Sequence, residues 1–125
     1  MKRDMDLCRR ILLALEEESK ICDEASDDEH GERIAHHIWL LWNAGLVDGF
    51  DVSSSSSVHP VAHANCLTWA GHEFLDAARN EGVWTKAKSA VLNATGGASL
   101  DLLKRALAIY GQQGLDAAIK ITGLS

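Results

Sequence analysis

The chain has 125 residues, a formal net charge of −6, 46% hydrophobic and 24% charged residues, and one proline. Such a balance belongs to a soluble globular protein and excludes a disordered or fibrous chain; the length, inside the usual domain range, leaves little room for two independent cores. No apolar run approaches the roughly 20 residues that cross a bilayer, and the opening MKRDMDLCRR alternates charges instead of leading into an apolar segment, so a cytoplasmic protein with no membrane partner is expected.

Residues 5–19 set Met5, Cys8, Ile11, Leu12 and Leu15 on one side at helical spacing, with Asp4 and Asp6 where a helix dipole favours acids. This predicts a first helix. Glu16, Glu17 and Glu18 lie at its unfavourable end, so fraying is expected around Ser19 and Lys20. The polar, acidic stretch 21–29 reads as a loop or a short turn. From about His30 to Asn43 the stripe Ile34, Ile38, Leu41, with Trp42 at its edge, predicts a second helix that Gly45 stops in a left-handed conformation.

The β-branched runs Leu46–Val52 and Val61–Thr68, separated by SSSSSVHP, predict a hairpin with a long, mobile tip. Thr68 is placed to cap a third helix with Gly71, Phe74, Leu75 and Ala78 inward, and Gly82 to close it. A fourth helix from Val83 carries Trp84, Ala87 and Val91 inward and ends at Thr95-Gly96-Gly97. Ser99 then caps a last helix with Leu100, Leu103, Leu107 and Tyr110 inward, and LDAAIKI adds a turn or two. Trp69, Trp84 and Phe74 read as core. Cys8, Cys22 and Cys66 form no CxxC pair and read as reduced thiols, Cys8 and Cys66 buried.

Helix, helix, two-stranded ribbon, helix is the order of a winged helix-turn-helix. The expected fold is mainly α (α+β), with a winged-helix-like domain over 1–95 and a helical extension over 96–125. The chain also resembles a family of short, functionally uncharacterised bacterial and phage-associated proteins. The resemblance rests on MKRDMDL at Met1 to Leu7, HIWLLWNAGL at His37 to Leu46, LTWAGHEFLDAAR at Leu67 to Arg79 and the pair Val83-Trp84. It covers most of residues 1–90 and thins out after Gly97. It implies a winged-helix-like fold with no assigned activity, and it departs from DNA-binding members in having a serine tip where wings often carry Arg or Lys.

Charge is unevenly placed. Residues 21–50 hold seven acids against Arg33 alone, whereas residues 81–125 hold five bases against three acids. A DNA-binding face is normally basic, because phosphate neutralisation supplies most of its non-specific affinity. With Ile34, Ile38 and Leu41 inward, the second helix turns Glu29, Glu32, Arg33, His36, Trp39, Leu40 and Asn43 outward. Arg33 and Asn43 are candidate readers of base edges, His36 a phosphate contact, and Lys86 and Lys88 further DNA contacts. Glu32, Trp39 and Leu40 point instead to a protein contact.

The last helix is apolar around much of its circumference. Leu103, Leu107 and Tyr110 are therefore candidates for a homodimer interface across residues 98–122. His59, His63 and Cys66 have spacings that a zinc set could use, but His63 and Cys66, an odd number apart, fall on opposite faces of a regular strand. No metal and no cofactor are expected. His72 and Glu73, neighbours on a helix, diverge by about 100° and do not pair for acid-base work. No nucleophile triad, phosphate-cradling glycine loop or HExxH is present. The expected function is a small non-enzymatic regulator, binding DNA or acting on another regulator; the alternative is a protein-interaction module without nucleic acid.

Overall fold

A computed structural model describes residues 2–17, 29–97 and 99–122. Its elements are α1 (Met5–Glu16), α2 (Glu29–Asn43), β1 (Val47–Asp51), β2 (Ala62–Leu67), α3 (Trp69–Ala78), α4 (Glu81–Thr95) and α5 (Leu100–Thr122). The chain is thus mainly helical with one two-stranded antiparallel ribbon, an α+β arrangement. It forms two compact units, Met1–Leu75 and Asp76–Ser125. The expected fraying at Ser19 and Lys20, the loop 21–28 and Cys22 lie outside the described residues.

In the first unit α1 packs on α2, and both pack on the ribbon. Asp4 starts α1: its carboxylate accepts the Leu7 N–H at 3.1 Å, meeting one of the orphan donors of the first turn. Met5, Leu7, Cys8, Ile11 and Leu12 are buried, whereas Leu15 is half-exposed. Ile34, Ile38 and Leu41 of α2 join them in the core. Gly45 ends α2 at φ +78°, the left-handed stop that a side chain resists.

One hydroxyl then ties α3 to the end of α2. Thr68 Oγ1 donates to the Gly45 carbonyl at 2.6 Å and accepts the Gly71 N–H at 3.0 Å, capping α3 while holding it to the end of α2. Gly71 runs so close to β1's approach that a Cβ there would collide with the Leu46 carbonyl oxygen.

The strand register carries an irregularity. Asp48 pairs with Cys66 but Gly49 pairs with Ala64, leaving Asn65 as the extra residue of a bulge. The bulge breaks the two-residue alternation, so His63 and Cys66 are both exposed. Two expectations fail for that one reason: Cys66 is not buried, and odd spacing does not separate it from His63.

Phe74 and Leu75 are core as expected, but Trp69, the first residue of α3, is 81% exposed. The inward side of α3 begins at Gly71, so Trp69 stands off it. Gly82 does not close α3. Asn80 accepts the Val83 N–H and caps α4, which therefore starts at Glu81 and takes Gly82 into its first turn.

The second unit is built on α4 against α5. Trp84, Ala87 and Val91 of α4 are buried, as are Leu100, Leu103 and Leu107 of α5. Gly96, at φ +70°, ends α4. Ser99 accepts the Leu102 N–H at 3.3 Å and starts α5. The tail LDAAIKI adds its turns to the same helix, so α5 runs unbroken for 23 residues.

Candidate functional site

The outward side of α2 is where the sequence set most of its candidates, and its own chain occupies much of it. Arg33 reaches back to α1, its Nη2 lying 2.6 Å from Asp4 Oδ2. Burial works to raise the Asp4 carboxyl, but the Leu7 N–H and the Arg33 guanidinium outweigh it and hold the group below the ordinary carboxylate value. Arg33 is thereby engaged in an ion pair.

Glu32 holds the tip of the hairpin. Its Oε1 accepts the Val58 N–H at 3.0 Å and the His59 N–H at 3.1 Å, giving two consecutive backbone donors one charged partner. His36 Nδ1 donates to the Pro60 carbonyl at 2.7 Å. The His36 ring stacks on Trp39, centroids 5.9 Å apart and planes 10° from parallel, and meets His59 at 5.3 Å. His36 is therefore buried, not outward as its helical position implied. The correction has a simple cause: residues 58–60 fold onto α2, a contact some 25 positions away in sequence.

Asn43 is exposed, yet its Nδ2 donates to the Trp39 carbonyl at 2.8 Å, within α2's last turn. Trp39 and Leu40 are half-buried. Behind this surface His37 is fully buried and bonds both to the Arg33 carbonyl, at 2.7 Å, and to the Asp4 N–H, at 2.9 Å. The structure thus brings Arg33, His36, Glu32 and Trp39 together with Asp4 and His37, which the sequence did not nominate, and with His59, which it offered only as a zinc ligand. Asp4 was visible as a first-turn acid. Its bond to α2 had no local signal.

The hairpin tip is tied within itself as well. Ser53 Oγ accepts the Val61 N–H at 2.9 Å, and the Ser53 N–H donates to Asp51 at 2.7 Å, a hydrogen bond that holds the Asp51 carboxyl below its usual value. The ribbon's outer side carries Phe50 against His63, ring centroids 5.1 Å apart. Among the described residues no group of His, Cys, Asp or Glu is placed to hold a metal ion. Burial pushes the Cys8 thiol up to about 12, so it stays protonated and unreactive at neutral pH.

The remaining candidates belong to the second unit. Lys86 is exposed and Lys88 half-exposed on α4. On α5, Leu103 and Leu107 are buried within the chain and Tyr110 is half-exposed. No described helix is long and apolar enough to cross a membrane.

Residues 2–98 match the family described as "Hypothetical protein (DUF2513)". The chain belongs to this family. The match takes in KRDMDL from Lys2 and the LTWAGHEFLDAAR segment and ends two residues before α5. A relative from Haemophilus influenzae, described as "Uncharacterized protein", is 38% identical over 109 residues, which is 84% of this chain and 91% of the relative. No solved structure matches. Membership agrees with the resemblance read from those segments, to the extent of an uncharacterised family.

Proposed function

We propose that this DUF2513 chain is a winged-helix-like, non-enzymatic regulator that works through protein contacts and does not read DNA with α2. The element order α1, α2, β1, β2, α3 supports the winged-helix reading, with α2 in the place of a recognition helix and the ribbon as the wing.

The observation that carries the proposal is the closure of α2's outer side. Its one arginine is paired with Asp4, and Glu32, an acid, and His36 are bonded to the wing tip. A groove-reading helix needs free donors and phosphate-neutralising charge. This one has its donors engaged and an acidic surround. A titration of mixed-sequence duplex DNA against the labelled protein tests the reading, with unchanged α2 amide signals as the expected result.

The protein contact falls first on a second copy. About 34 Å of helix in α5 outruns the roughly 22 Å of α4, and no residue in 111–120 is buried. Ile109 and Leu115 are 59% and 53% exposed on this helix. Such exposed apolar side chains favour a homodimer through α5. Because Leu103 and Leu107 are buried in the chain, Ile109, Tyr110 and Leu115 carry the interface. Light scattering on wild type and Leu115→Asp tests it: a dimer that the substitution splits supports the contact, and two monomers refute it.

A further inference from the structure

His37 is fully buried, and the reading above gives it no task. Its two ring nitrogens are nevertheless both committed. Nδ1 lies 2.7 Å from the Arg33 carbonyl oxygen, which can only accept, so Nδ1 carries the hydrogen. Nε2 takes the Asp4 N–H at 2.9 Å, so Nε2 carries the lone pair. Together the bonds specify one tautomer of the neutral ring. A second proton on Nε2 would point at the Asp4 N–H and turn that hydrogen bond into a repulsion.

What hangs on the bond is the start of α1. The same Asp4 caps α1 through Leu7 and pairs with Arg33, and its carbonyl accepts the Cys8 N–H at 3.1 Å. The Asp4–His37 and Asp4–Arg33 contacts therefore fasten the first turn of α1 onto α2.

The charged and titratable groups around His37 pull in opposite directions. From α1, Asp4 favours a charged ring, and the neighbouring Cys8 is a neutral thiol. From α2, Arg33 and His36 disfavour it, His36 meeting His37 edge-on at 6.0 Å. His59 of the wing lies one ring further out, its centroid 5.3 Å from that of His36. On the ribbon, Asp48, Asp51, His63 and Cys66 are exposed to solvent.

We propose that His37 is an acid-released clasp: a proton taken from solvent by Nε2 breaks the bond from the Asp4 N–H and frees the first turn of α1 from α2. Once Asp4 leaves, Arg33 loses its docked carboxylate beside a newly charged imidazolium. Arg33 is then freed on α2, while Glu32 and His36 stay bonded to the hairpin tip. The device is independent of what the module binds.

The test is solution NMR on the full chain from about pH 7.5 to about pH 5, a range that spans ordinary imidazole titration. His37 ring nitrogen shifts report protonation, and protection factors report the amides of residues 4–8 and 38–41. The expected result is an about tenfold or greater loss of protection at residues 4–8 over the interval in which Nε2 protonates, with 38–41 retaining theirs. His37→Gln supplies a donor and an acceptor but does not titrate, so its profile is flat. If that variant does not fold, His36→Gln keeps His37 and retains the transition, moved to higher pH because a group that disfavours the charged ring is gone. A His37 that stays neutral to the bottom of the range, or residues 4–8 that remain protected through its protonation, overturns the proposal. So does a transition that disappears in His36→Gln.

Discussion

Arg33 and Asp4, 29 positions apart, meet at 2.6 Å across the α1–α2 contact, and the same carboxylate caps α1. The two roles separate by substitution. Asp4→Asn keeps a capping oxygen and loses the ion pair; because both side chains are partly exposed, 41% for Arg33 and 31% for Asp4, the loss is at most about 0.5 kcal/mol. Asp4→Ala loses the cap as well, for about 1 kcal/mol more. Urea midpoints of the three proteins check the order, and a larger effect for Asn than for Ala contradicts it.

The Glu32 bonds to Val58 and His59 predict a local effect with a small global one. Glu32→Ala leaves both amides without their acceptor, so their hydrogen exchange accelerates by about tenfold or more while that of the ribbon pairs is retained. Glu32→Gln keeps a neutral oxygen in reach and falls between. Equal protection in wild type and Glu32→Ala would show that the tip does not depend on this carboxylate.

Acid destabilises the first unit through two groups. Burial, with the charges of Arg33 and His36, lowers His37 from the ordinary 6.5, so the fold holds the neutral ring. Its contribution is complete above about pH 6.5 and is lost as pH falls below that value toward the depressed one. Asp4 is lowered from 3.8, so its contribution is complete above that pH and is lost only as pH falls through its own depressed value. Denaturation at fixed urea across pH checks this: His37→Gln removes the upper step and Asp4→Asn the lower. A single step that neither substitution alters is incompatible with these assignments.

Gly71→Ala and Trp69→Ser make a contrasting pair only two positions apart. The added methyl meets the Leu46 carbonyl, a backbone atom that cannot swing aside, and costs about 2 kcal/mol. Trp69 is almost wholly exposed, so Trp69→Ser changes stability by no more than about 0.5 kcal/mol. Thermal unfolding of both variants tests the pair, and a strongly destabilised Trp69→Ser contradicts the outward placement of this ring.

Local pattern made most of the fold legible. The stripe Ile34, Ile38, Leu41 and the stop at Gly45 needed only helical spacing and backbone sterics, and Thr68 needed only its place before an apolar run. What stayed hidden depends on partners distant in the chain. His36 lies on the outward side of α2 by spacing, and becomes buried because Pro60 and His59 come back over it. Cys66 reads as inward until the bulge at Asn65 turns it out. Asp4 looked like one more first-turn acid, and nothing within α1 pointed to Arg33 or His37. The candidate residues were thus partly legible, their state of engagement hardly at all.

Duplex binding at low salt bears most directly on the closed face of α2. Fluorescence anisotropy of a mixed-sequence duplex is measured with wild type and Arg33→Ala at about 50 mM and about 200 mM salt, where phosphate contacts differ strongly. No rise in anisotropy for either protein at neutral pH is the predicted result. A rise that weakens with salt and falls with Arg33→Ala would contradict the account and return α2 to the role of a reading helix.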